Sequence, residues 1–278
     1  MVLESLISVE KAEKNYKTMF FYGFLFVSIA IILALWIFRE QSSMVMVFLV
    51  VIACIPLMYN TMKHEESIDM NTEEERTLLR EHSKALKFLM FLFLGFIVAF
   101  ALWFTFLPEQ TTETLFHTQL TTIGQINAKI TGDVTGNATS AAGILTQIFL
   151  NNFKVLLFCI FFSFFYGAGA IFILTWNASV IGAAMGTFIR DKLSYFGSYF
   201  AVIPLALLRY MTHGFFEILA YFIGGLAGGI ISIAIIRHHT DNKKFKTVLT
   251  DSLDLIILAV IILIIAALIE VYITPSLF

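Results

Sequence analysis

Arg209, His213 and Glu217 recur at every fourth position of the stretch Leu208-Arg209-Tyr210-Met211-Thr212-His213-Gly214-Phe215-Phe216-Glu217. On a helix that spacing stacks the three side chains on one face, one turn apart. A guanidinium, an imidazole that titrates near neutral pH and a carboxylate in such a row can clamp helices together. They can also pass a proton or ion, or serve as base and metal ligand. An apolar, glycine-rich segment follows at once, and charges at membrane depth seldom face lipid. The row therefore needs a protein-lined or wet interior. Asn177, Asn151 and Asn152 are further polar side chains in apolar surroundings that could join it.

The elements that must hold this row are membrane helices. Of 278 residues, 59% are hydrophobic and 14% charged, with a mean hydropathy of +0.86. A soluble domain carries about 25% charged residues. Several apolar runs reach the roughly 20 residues needed to cross a hydrocarbon core of about 30 Å. The alternating pattern of a membrane β-barrel is absent, so the fold expected is an all-α polytopic transmembrane bundle of about seven spans. Thirty phenylalanines, and ten glycines between 167 and 229, suit lipid-facing bulk combined with close helix contacts. A net charge of -2 gives no global basic signal for nucleic acid. The two cysteines, Cys54 and Cys159, lie inside apolar runs, without metal-ligand spacing and without the setting for a disulfide. No cofactor or metal is implied. The N-terminus does not read as a signal peptide, because the segment is mixed in charge and no small-residue cleavage site follows the first apolar run.

Residues 1–18 suggest a short amphipathic helix at the membrane surface, carried by Leu3, Leu6, Ile7 and Glu10. A three-span region, 19–107, follows, with spans near 19–38, 44–59 and 88–107 and a polar cytoplasmic loop at 61–87. Thr72 and Glu75 have capping-box spacing, so the acidic run Glu73-Glu74-Glu75 reads as a solvated helix start and not as a metal or catalytic site. Residues 108–148, with Lys129 as their one Lys or Arg, suggest a partly ordered external loop, and Asn137-Ala138-Thr139 is a glycosylation sequon. The core follows at 149–236, and a basic loop with a last span at 237–278. The apolar stretches 178–189 and 200–208 are each too short to cross, and Pro204 interrupts the second. The fifth span is therefore expected to be broken or re-entrant, the kind of segment that builds buried polar sites. Lys and Arg concentrate before the first span, between the second and third, and between the sixth and seventh. The positive-inside rule then puts the N-terminus in the cytoplasm and 108–148 and the C-terminus outside the cell membrane. His238-His239 beside Lys243 and Lys244 reads as an interfacial basic cluster favouring anionic lipid.

Residues 145–236 resemble the stage II sporulation protein M family of integral membrane proteins. The resemblance runs through Phe149-Leu150-Asn151-Asn152, Gly167-Ala168-Gly169, Trp176-Asn177, Ile181-Gly182 and His213-Gly214 with Glu217 three residues on. Thr212 stands where the family has proline, and Ala178 where it has the glycine after Asn. The first three spans carry no such likeness. The resemblance implies a membrane scaffold of a cell-envelope assembly with protein partners, and no enzymatic activity.

Three readings of Arg209, His213, Glu217, Asn177, Asn151 and Asn152 stay open. They can be a structural clamp between broken helices, or a proton- or ion-coupling pair of a small-molecule transporter formed by His213 and Glu217. They can also be an enzymatic base or metal site, for which the ligand set is incomplete. Gly167, Gly169, Gly182, Gly186, Gly214, Gly224 and Gly228 are candidates for close helix packing. The faces of Gly182/Gly186 and Gly224/Gly228 could pack within the chain or form a homo-oligomer.

Overall fold

The computed structural model describes residues 8–71, 75–134, 141–166, 169–237 and 242–277. Among them there is no strand, and seven helices are long and apolar enough to cross a membrane. The elements are α1 (Val9–Lys14), α2 (Thr18–Ile37), a 3₁₀ turn (Arg39–Gln41), α3 (Ser42–Asn71), α4 (Glu75–Phe106), α5 (Glu109–Leu115), α6 (His117–Val134), α7 (Ala141–Tyr166), α8 (Ala170–Phe196), α9 (Tyr199–Arg237), α10 (Asn242–Leu268), a π-helical turn (Ile269–Ile273) and α11 (Thr274–Leu277). The spans are α2, α3, α4, α7, α8, α9 and α10. The all-helical class and the number of spans are those read from composition.

Glycines set where the spans meet. A Cβ on Gly23 of α2 would strike the Leu92 carbonyl of α4, and one on Gly95 of α4 would strike the Phe20 carbonyl of α2. Each glycine receives the other helix's backbone, so the pair runs side by side and in parallel. Gly182 and Gly186 of α8 likewise face Phe100 and Phe104 of α4, with a Cβ at Gly182 only 2.5 Å from the Phe100 Cβ. Gly224 and Gly228 of α9 receive Leu156 and Ile160 of α7, and Gly225 receives Ala170 of α8. Both glycine faces considered for a homo-oligomer are thus covered within the chain. Gly169 lies against the Phe162 carbonyl, where the chain turns from α7 into α8. Gly214 differs: a Cβ there would meet only the Met211 methyl, at 3.5 Å, so it permits no close helix approach. Gly167 lies outside the described residues.

α9 is the axis of the bundle. Its apolar window is 83% buried inside the protein, against 22% for the last span. At 39 residues it is roughly 58 Å long at 1.5 Å per residue, nearly twice the hydrocarbon thickness.

The break expected in the fifth span is absent. Trp176 and Asn177 sit inside the continuous α8, and Pro204 sits inside α9. Asn177 does not interrupt α8 because its side-chain amide donates to the Ile173 carbonyl one turn back, at 2.8 Å. Arg190 follows the apolar stretch 178–189 that is too short to cross. It donates to the Thr105 and Leu107 carbonyls at 3.3 and 2.5 Å and to the Thr112 hydroxyl at 3.0 Å, capping the end of α4. The chain reverses only at Gly197, whose φ of 63° is open to glycine without strain and whose N–H donates to the Leu193 carbonyl.

At that end of the bundle Trp36, Phe106, Tyr195 and Phe200 are exposed, Phe200 at 95%. The Phe106 and Tyr199 rings meet there at 5.3 Å between centroids. Exposed aromatics gathered at helix ends are the side chains that favour a bilayer–water boundary. Against the start of α3 and the middle of α8, α6 is pinned by Gln119, which is fully buried. Gln119 accepts from the Ser43 hydroxyl at 2.9 Å and donates to the Ser43 carbonyl at 3.2 Å and the Ser179 hydroxyl at 3.1 Å. The sequon at Asn137 lies outside the described residues.

At the opposite end, α3 and α4 continue past the apolar runs as a helical hairpin, so much of 61–87 is helix. His82 Nδ1 lies 2.6 Å from the Glu65 carboxylate, and both side chains are buried. α1 packs on this hairpin and does not present its apolar side to lipid: Val9 and Ala12 are buried, and the Tyr16 and Phe91 rings meet at 5.1 Å. Leu3, Leu6 and Ile7, Thr72 to Glu74, and His238-His239 lie outside the described residues.

Burial pushes the Glu13 carboxyl above its ordinary range, and His64 at 3.8 Å only partly offsets that. A carboxyl whose value is raised by folding favours the docked α1 below its ordinary value. That contribution disappears as pH rises through the raised value. Hydrogen exchange across residues 9–16 should therefore slow as pH is lowered through this window, after correction for the intrinsic rate, and Glu13→Gln should remove the dependence. Separately, Gly228→Ala drives a Cβ to within 2.5 Å of the Ile160 carbonyl oxygen. It should cost about 1–3 kcal/mol in thermal unfolding in detergent. Gly214→Ala should be neutral, or stabilising by up to about 1 kcal/mol, since only the backbone entropy changes.

Candidate functional site

Glu217 lies partly buried on α9, four residues after His213. Three helices converge on it. From α7, the Asn152 side-chain amide donates a short hydrogen bond to Glu217 Oε1. From the π-helical end of α10, the Glu270 carboxyl meets that of Glu217. Tyr221, one turn further along α9, is buried beside both carboxyls and near Cys159 of α7. Neither cysteine is bonded: Cys54 and Cys159 are free and buried.

His213 completes the cluster through the same C-terminal segment. Its Nδ1 lies 3.2 Å from the Thr274 hydroxyl, and that hydroxyl donates to the Ile269 carbonyl at 3.2 Å. A threonine hydroxyl has one hydrogen, so with that hydrogen on Ile269 it accepts from His213. This assigns the His213 proton to Nδ1 and leaves Nε2 as the free acceptor. The Thr274 backbone N–H also goes to the Ile269 carbonyl, five residues back, closing the π-turn around Glu270. π-Turns are rare and recur where a helix must re-aim side chains at a functional site.

The structure therefore joins His213, Glu217 and Asn152 and leaves the other candidates apart. Arg209 turns to α8, with its guanidinium 5.3 Å from the centre of the Phe188 ring. Asn177 is satisfied within its own helix, and Asn151 is exposed on the outer side of α7. Glu270 and Thr274 escaped the sequence reading. A usable signal was present, because Glu270 is the only ionisable carboxyl side chain in the apolar run 255–278. Intramembrane carboxyls mark function or pairing by default. Among the described residues no three His, Cys, Asp or Glu side chains are grouped to hold a metal ion.

Seven apolar helices, with ionisable groups turned onto one another between them, define an integral membrane protein of the polytopic α-helical class. The chain belongs to the stage II sporulation protein M family, whose model matches residues 24–275. The match takes in the first three spans, well beyond the 145–236 stretch that carries the recognisable motifs. Over 135 residues the chain is 30% identical to an uncharacterized protein of Methanocaldococcus jannaschii, covering 47% of this chain and 70% of that one. No solved structure matches the chain.

Asn152 and Asn177 should respond differently to truncation. Asn152→Ala removes the donor from a partly buried carboxyl and should lower stability by about 1–3 kcal/mol. Asn177→Ala removes only a bond to its own helix and should stay within about 0.5 kcal/mol. Thermal unfolding of the two variants in the same detergent makes the comparison.

Proposed function

We propose that this protein is a non-enzymatic, membrane-embedded assembly component of a cell-envelope complex, with protein partners that dock outside the bilayer. The observation that carries this reading is the ordered cap. α5 and α6 are held on the span ends by Gln119 and by the Arg190–Thr112 contact. Beside them lies an open cleft of about 550 Å³ lined by Glu40, Gln41, Ser43, Glu113, His117 and Thr118. An open cleft with Glu40 and Glu113 on its lining suits recognition of a protein segment, and its carboxylates favour a basic one. The membership in the sporulation protein M family agrees with a scaffold in the envelope.

A second reading, a proton- or ion-coupled small-molecule transporter, is favoured by one observation: Glu217 meets Glu270, Asn152 and the His213 side of α9 within the spans. Intramembrane carboxyl clusters of this make-up suit ion coupling.

One purification separates the two. Tagged full-length chain, expressed at its native level, should recover a stable partner from membranes. Glu40→Lys with Glu113→Lys should reduce that recovery about tenfold, equivalent to about 1.4 kcal/mol, with the amount of chain in the membrane unchanged. Recovery of the chain alone sinks the scaffold. The same material in liposomes tests the second reading, which requires pH-driven solute flux that Glu217→Gln abolishes.

A further inference from the structure

Glu217 and Glu270 come from different helices, α9 and the π-turn that ends α10, and both lie within the spans. The His213–Thr274 contact between these antiparallel segments sets Glu270, one turn before Thr274, opposite Glu217, one turn after His213. Two ionised carboxylates offer only acceptor oxygens and repel each other, so two facing carboxyls among membrane helices are best held by a proton on one. Among the described residues, the groups that meet Glu217 include no cation to replace it. α7 contributes the neutral amide of Asn152, which donates to Glu217, and the Cys159 thiol near Tyr221. α9 itself contributes Arg209, whose guanidinium is turned onto Phe188, together with His213 and the phenol of Tyr221. The segment after the π-turn contributes Thr274, bound to His213 and to Ile269. α8 brings Asp191 into range of Tyr210, nearly two turns before Glu217, and not of Glu217 itself.

We propose that Glu217 and Glu270 form a binding site for one proton within the membrane, and that the bound proton fastens the C-terminal end of α10 to α9. With the proton in place the carboxyls share it, and Asn152 holds the Glu217 oxygen that faces α7. Without it, two negative charges face each other across the α9–α10 contact, and Glu270 moves away with the π-turn. His213 Nε2, unoccupied by the Thr274 contact and one turn from Glu217, is the adjacent acceptor for the departing proton. The proposal deepens the transport reading by naming the bound ion, but the site requires no flux.

Infrared difference spectra of the full chain in lipid nanodiscs, recorded between acid and alkaline pH, test it. The wild type should show one protonated-carboxyl band that disappears as pH rises. Glu217→Gln and Glu270→Gln should each abolish it, because the introduced amide donates to the remaining carboxylate and no proton is needed. Asn152→Ala should keep the band but shift its frequency, which also reads the site if a glutamine variant fails to fold. Absence of the band in the wild type overturns the proposal. So does its loss in only one of the two glutamine variants, or an unshifted band in Asn152→Ala. A band that behaves as expected without pH-driven flux leaves the site standing and removes the transport reading. Flux without the band removes the site.

Discussion

A carboxyl side chain among membrane helices must be neutralised or find partners within the protein, because lipid offers it none. Glu217 is where this chain meets that constraint, and the arrangement of its second half follows from the solution. Asn152 has to come from α7 on one side and Glu270 from the end of α10 on the other. The Asn152 contact sets the register of α7 against α9. On α7 it lies about one and two turns before the Leu156 and Ile160 approaches, and on α9 about two and three turns before Gly224 and Gly228, so the long Glu217 side chain reaches across to Asn152 on the same seam. Polar pairing and backbone proximity reinforce each other along this seam, as membrane helices need when the surrounding tails are as apolar as the helix faces.

The N-terminal half obeys the same rule with different parts. Gly23 and Gly95 bring α2 and α4 together, and the Trp103 indole N–H finds the Ser28 hydroxyl at 3.0 Å across the same interface. α4 then receives α8 through Gly182 and Gly186, and Arg190 closes the contact by taking up the carbonyls that end α4. These carbonyls need partners in any case, and a guanidinium at a helix C-terminus provides both donors and favourable charge. What looks like a polar interruption along the chain is in space the cap of another helix.

Much of the fold was legible because it rests on local quantities. Twenty-residue apolar runs, a tight Arg39–Gln41 turn, and Pro108 after α4 each report on their own segment. The site was half legible for the same reason. His213 and Glu217 share a helix, so periodicity pairs them, whereas Glu270 lies 53 residues beyond Glu217 and no periodicity links the two helices. Arg209 shows the limit from the other side: it has the right spacing, but its long side chain reaches back to Phe188. The break expected near Asn177 failed because a polar residue in an apolar run has two remedies. It can be met by a neighbouring helix or by the carbonyl one turn back, and sequence does not distinguish them. Gly214 was misread as a packing glycine because glycine content does not say which face of a helix a neighbour occupies.

α10 stands apart in this arrangement. It is among the spans least covered by protein, and the glycine contacts that lock α2 to α4, α4 to α8, and α7 and α8 to α9 do not include it. Its far end is joined to α9 by polar contacts between ionisable or hydroxyl side chains: Glu270 beside Glu217, and Thr274 on His213. On the proposed proton site, a change at those groups would displace the end of α10 without opening any of the glycine-packed seams. An apolar contact would hold the last helix more simply. Two carboxyls set at that contact are therefore the physical argument for the proposed proton-held joint.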